Sequence, residues 1–290
     1  MTTAESLRVP AQTAPRRRWR AVALLVAELL FVAVPFELAY GFAMRLVYRS
    51  DALTGLTFAV LAALVLFNGY ALWARFVARR APDELSTRRI VGLGGGALLG
   101  AALMGSIVAI LAACGALQIG AGSGIALAGL PGVAVLAGVA EELIARGVLL
   151  RNVENVFGSV AAIALTAAMF GWMHLDNPNA TPLGAAAIGI EGGVMLAAVY
   201  IATRSLWWTI GIHIAWNLTQ TTLFGIADSG HPGGGLLRSE TTGPDWLTGG
   251  VFGVEASFVS VVVCALVAIA FLIKAQRERR FLMPIWMRDA

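Results

Sequence analysis

Two adjacent glutamates, Glu141 and Glu142, interrupt the apolar run PGVAVLAGVAEELIARGVLL, and Arg146 follows one helical turn later. At bilayer depth each ionisable side chain costs about 2.5–3.5 kcal/mol on insertion scales, so a cluster of three needs a reason. Glu142 and Arg146 are four residues apart, which puts a carboxylate and a guanidinium on one helical face within pairing reach. Glu141 points about 100° further round and cannot fully share that partner. One glutamate is therefore expected to be structural and the other free for chemistry. The competing reading is a neutral network of protonated carboxyls, favoured by desolvation. Two more polar groupings lie in apolar segments: Phe170 and His174 in FGWMH, and His213 and Asn217 in HIAWN. A carboxylate, two imidazoles and a carboxamide supply a base for water, ligands or acids, and a neutral donor for a developing oxyanion.

The elements that must hold these groups are membrane helices. Of 290 residues, 58% are hydrophobic and 13% charged, far from the balance of a soluble domain. A spanning helix needs about 20 apolar residues. Eight such windows are expected near residues 21–44, 54–74, 90–117, 132–150, 157–174, 183–203, 205–224 and 251–273. Their continuous apolarity favours helices over the alternating strands of a membrane barrel. The net charge of +4 follows the positive-inside rule rather than marking a nucleic-acid binder, because basic residues cluster at 8–20, 75–89 and 274–288. Both termini are thus expected in the cytoplasm. An integral protein of a bacterial cytoplasmic membrane fits the alanine, glycine and arginine richness.

Residues 1–20 are read as a basic, disordered tail, 21–273 as one transmembrane domain, and 274–290 as a basic tail along the anionic inner leaflet. The Gly225–Gly250 segment, with DSGHPGGG, is read as an outer loop, mobile or covering an opening, and His231 as a loop histidine. Gly96 and Gly100 form a GxxxG pair suited to tight packing within the bundle, with a homodimer as the lesser alternative. Cys114 and Cys264 have no partner spacing and read as small core residues. Glu28 and Glu37, either side of Pro35, either line a cavity or pair with arginines of other helices. Glu191, on a helix lying between the motif helices, is a supporting candidate, with structural pairing as its alternative.

The ordered set resembles the signature of the CPBP intramembrane proteases, a family that includes type II CAAX prenyl endopeptidases and bacterial bacteriocin-processing and immunity-associated relatives. EExxxR is met by Glu141, Glu142 and Arg146, FxxxH by Phe170 and His174, and HxxxN by His213 and Asn217, within about residues 130–220. The flanking helices match only in kind. The resemblance implies an all-α polytopic bundle of eight transmembrane helices around an intramembrane polar cavity. It also implies that Glu141 activates water, His174 and His213 complete the centre, Asn217 holds the oxyanion, and Glu142 and Arg146 brace the base. Two histidines and a carboxylate, His174, His213 and Glu141, could hold Zn2+ with an open position, but HExxH is absent, so zinc and metal-free chemistry both stay open.

The expected activity is endopeptidase cleavage of a membrane-associated peptide or protein at the bilayer, with no nucleic-acid partner. Two other classes compete: a proton-coupled transporter relaying through Glu28, Glu37, Glu141, Glu142 and Glu191, and a catalytically silent binding or immunity protein of the same fold. Along the helices, Glu141 and His213 fall near mid-depth while His174 falls nearer the outer face, so the side on which a cavity opens stays undecided. The family's work on cytosolic substrates argues for an inner opening by analogy.

Overall fold

The computed structural model describes residues 14–122 and 130–288. Helix dominates, as it must where no water can satisfy backbone groups and each segment has to close its own hydrogen bonds. Among the described residues the long helical stretches run α1 14–48, α2 Ala52–Val77, α3 Val91–Ala113, α4 130–157, α5 Ser159–Met173, α6 Pro182–Thr203, α7 206–223 and α8 Phe258–Arg277, beside shorter turns such as Asp245–Thr248. By length and apolarity alone six of them can cross a membrane, namely α1, α2, α3, α5, α6 and α8, against the eight spans expected. The other two are continuous helix too, but α4 carries Glu141, Glu142, Arg146 and Arg151, and α7 carries His213, Asn217 and Gln220. The helices that fall short are those loaded with polar groups.

Local chemistry sets several helix limits. The Asp51 carboxylate accepts the Leu53 and Thr54 N–H groups at 3.1 and 3.0 Å to start α2, and Ser257 caps α8 through the Ser260 N–H. Thr181 caps α6 ahead of Pro182, whose missing N–H is harmless in a first turn. Gly158 separates α4 from α5 at φ +83, a conformation that costs glycine little. In α1 the stretch Leu29–Ala33 is wound as π-helix just before Pro35, which cannot donate to the ladder, so the helix is locally rewound there.

Small residues set how closely helices approach. A Cβ on Gly96 would sit 2.3 Å from the Trp208 carbonyl oxygen, and one on Gly100 2.3 Å from that of Ile212. The GxxxG pair is therefore spent inside the bundle, where it brings α3 against α7 at backbone contact. Gly138 does the same between α4 and α7, since a Cβ there would lie 2.9 Å from the Ile214 nitrogen.

At the arginine-rich end, buried ion pairs tie helices together. Glu28 meets Arg151 at 2.5 Å and Asn152 at 2.7 Å, and Glu154 meets Arg204. Of the two α1 acids, then, Glu28 pairs with an arginine of α4. The tail after α8 docks on the bundle: Leu282 donates to Ser159 Oγ at 2.8 Å and accepts from the Ser159 N–H, and Ile285 is buried. Most of the expected N-terminal tail, residues 1–13, lies outside the described residues, and helix is already present at Ala14. Cys264 is buried as expected, whereas Cys114 is exposed, because α3 ends just before it.

At the opposite end, strand β1, Leu117–Ala121, pairs antiparallel with strand β2, Leu237–Thr241, with Leu117 opposite Thr241. This ribbon ties the connection after α3 to the glycine-rich loop after α7. Part of the expected outer loop is thus a fixed structure.

Candidate active site

The centre is built where α4, α5, α6 and α7 meet. Helix α4 is regular through Glu142 and then π-wound over Leu143–Leu150, a local rewinding often found at functional positions. The Glu142 side chain is 0% exposed, and its Oε1 accepts from Arg146 Nη1 at 2.8 Å and from His213 Nδ1 at 3.0 Å. Arg146, 2% exposed, also donates to the Gly193 carbonyl of α6 at 3.3 Å. Its guanidinium carbon stands 5.1 Å from the centre of the Phe170 ring, and that ring packs 4.8 Å from the His174 imidazole. One buried arginine of α4 therefore contacts both α5 and α6, joining three of the four helices that meet at the centre.

Glu141 takes the other direction. Its side chain is 20% exposed, Oε1 accepts from the Tyr40 hydroxyl at 2.8 Å, and Oε2 lies 3.9 Å from His213 Nε2. His213 Nδ1 faces a carboxylate and His174 Nδ1 faces the Phe170 carbonyl at 2.7 Å. A carbonyl or carboxylate only accepts, so both Nδ1 atoms donate, and in a neutral ring Nε2 keeps the lone pair. The Asn217 side chain is bonded by none of the described residues, while its carbonyl accepts the Thr221 hydroxyl at 2.7 Å.

Glu141, His174, His213 and Asn217 all line one cavity of about 480 Å³. His174 reaches it from the end of α5 and lies on the same wall, but among the described residues no hydrogen bond or ion pair joins it to Glu141 or His213. The depth mismatch expected from the sequence is met in this way: His174 is coupled through Phe170 and Arg146 rather than by direct contact. Glu37 and Glu191 line the cavity as well.

Sequence reasoning missed three residues here. Tyr40 carried a weak signal, since it lies three residues after Glu37 on one helical face. Asp228 carried none. His231, read as a plain loop histidine, lines the cavity mouth with its ring 5.8 Å from that of Tyr48. Burial pushes the Asp228 carboxyl up to about 6, with His213 opposing and Glu141 adding to the rise. Glu255 is pushed well above the usual carboxylate range by burial and by the charge of Asp228. Burial and the neighbouring His174 lower His231.

Whether the donors could hold a metal is a question of convergence. Among the described residues no three His, Cys, Asp or Glu side chains come together as a ligand set, so His174, His213 and Glu141 are not assembled around a zinc position. What the arrangement offers instead is a cavity carboxylate beside an oriented imidazole, with a free carboxamide nearby.

Residues 123–219, roughly a third of the chain, match the family model described as type II CAAX prenyl endopeptidase Rce1-like. No curated protein and no solved structure matches the chain.

Proposed function

With an Rce1-like segment at residues 123–219 as the premise, we propose that this protein is an intramembrane endopeptidase in which Glu141 activates water against a peptide bond. One observation carries this reading: the neighbouring carboxylates are divided in role. Glu142 is buried, neutralised by Arg146 and fixed on His213 Nδ1, while Glu141 is left in the cavity 3.9 Å from His213 Nε2. Glu141 takes a proton from water, and the hydroxide attacks the carbonyl carbon. Asn217 donates to the oxyanion so formed. As the C–N bond breaks, the proton passes from Glu141, or by way of His213, to the leaving amine. A positioned general base contributes typically 10²–10⁴-fold and one oxyanion donor about 10²–10³-fold.

The arginine-rich end, with Arg75, Arg79, Arg88, Arg89, Arg277 and Arg280, is cytoplasmic under the positive-inside rule. Cavity residues come chiefly from the helix halves next to the other end, including Tyr48, Leu130, His174, Ser229 and His231. The cavity therefore opens away from the cytoplasm, against the inner opening that family analogy suggests. Its substrate is a membrane-associated chain whose cleaved segment lies on the outer side.

The experiment is proteolysis of a panel of membrane-anchored peptides by the purified protein, with Glu141→Gln and His213→Ala alongside and a chelator arm. The expected result is a loss of at least about 100-fold in each variant and no change with chelator. Retained cleavage in folded Glu141→Gln would sink the assignment of the base. Loss with chelator that zinc restores would overturn the metal-free reading. The transporter alternative is weakened because Glu28, its first relay member, is engaged by Arg151 and Asn152.

A further inference from the structure

Six glutamates are buried in the described structure: Glu28, Glu84, Glu142, Glu154, Glu191 and Glu255. Four of them meet an arginine at ion-pair distance, Arg151, Arg80, Arg146 and Arg204 respectively. The bundle thus compensates a buried carboxylate repeatedly with the same group, a guanidinium. Glu191 and Glu255 depart from that pattern. Among the described residues neither has a lysine, arginine or histidine in ion-pair contact, and both line the cavity.

Glu191 is 3% exposed and its Oε1 has no hydrogen-bond partner. Glu255 is 1% exposed and takes only neutral donors, the Gln220 amide and the Ser229 N–H. Among the described residues Arg45 is the one arginine of the cavity wall, and it is exposed on α1 and pairs with neither. The two acids do not converge with a third into a metal ligand set, so a compact divalent ion is a poor fit. A cation on a long apolar stem suits the site better. Such a stem can lie along apolar surface while its head reaches a carboxylate, and the cavity offers that surface in Val133, Ala137, Met169 and Met173.

We propose that Glu191 and Glu255 form a cation subsite of the cavity, which accepts a lysine or arginine side chain of the substrate peptide near the scissile bond. The choice of a peptide as the cation's carrier rests on the peptidase reading; the subsite itself rests on the two uncompensated acids. The positive head of the occupant favours the ionised carboxylates and so supplies from outside the counter-charge that arginine supplies elsewhere in the bundle.

Matched membrane-anchored peptides, scanned with lysine, arginine or norleucine at each position flanking the cleavage point, are offered to the full-length wild type, Glu191→Gln and Glu255→Gln. Binding is read by anisotropy of a labelled peptide and cleavage is read separately. At one position the basic peptides are expected to bind at least about tenfold more tightly than the norleucine peptide, a margin of about 1.4 kcal/mol. That ratio falls to within about twofold in either glutamine variant, and Glu191→Asp keeps part of it. The glutamine variants are expected to be at least as heat-stable as the wild type, because each removes an uncompensated carboxyl, so a lost ratio cannot be put down to misfolding. Equal binding of basic and norleucine peptides at every position, no binding of any basic peptide, or a ratio preserved in both glutamine variants overturns the subsite. Peptides that bind with the expected ratio but stay uncut sink the peptidase reading and leave the subsite standing.

Discussion

The different surroundings of Glu141 and Glu142 rest on one helical step. The i,i+4 relation of Glu142 to Arg146 was legible in the sequence, and the structure shows that pair at 2.8 Å and fully buried. What spacing could not show is that Arg146 also grips the Gly193 carbonyl and packs on Phe170. Removing one partner of a buried pair typically costs about 3–5 kcal/mol, since the other charge is left uncompensated. Arg146→Ala is therefore expected to lower stability by that amount in reversible unfolding in detergent, with part of it recovered when Glu142→Gln is added. A cost under about 1 kcal/mol would show that the pair is not what holds α4, α5 and α6 together. Tyr40 carried only the weak signal of its spacing from Glu37, because its meaning comes from α1 lying beside Glu141, a contact between residues 101 apart in the chain.

Among the elements, α7 is held at backbone contact by glycines on two neighbouring helices. The same closeness carries His213 to Glu142. Gly100→Leu is expected to force α3 from α7, since its Cβ alone would lie 2.3 Å from the Ile212 carbonyl oxygen. Overpacking of this kind costs typically about 1–3 kcal/mol. The expected outcome is a lower unfolding midpoint together with a fall in peptide cleavage, as His213 and Asn217 move with their helix. Gly94→Leu is the control, because nothing lies within 4 Å of a Cβ there. Equal effects at both positions would remove the argument from the seam. The GxxxG spacing itself was readable; that its partner is α7 rather than a second copy of the chain depended on which helix the fold lays against it.

For the molecule as a whole, the distribution of arginine and the location of the cavity make a joint statement about sidedness. Single cysteines in a Cys114→Ser, Cys264→Ala background test it in intact cells with a membrane-impermeant maleimide. A cysteine at Asn177, at the cavity mouth, is expected to label, and one at Ser86, beside the arginine-rich connection, only after permeabilisation. The reverse pattern would turn the cavity toward the cytoplasm and restore the inner opening suggested by analogy. Asp228, Ser229 and His231 of the loop after α7 line the cavity together with helix residues, so part of its wall is assembled from distant segments.

The sequence by itself determined that the chain is a helical membrane protein and which side chains are costly enough at depth to need a purpose, because hydropathy and the 3.6-residue period act locally. It also determined the order of the three motifs. Only the tertiary structure decided that Glu28 is spent on Arg151 while Glu191 and Glu255 stay uncompensated beside the cavity. It also decided that His174 is coupled to the centre through Phe170 and Arg146, and that a loop acid and a loop histidine join the wall. The reason is physical: whether a buried charge is neutralised depends on which distant helix supplies the partner, and that is settled by close backbone packing, which no local pattern of residues encodes.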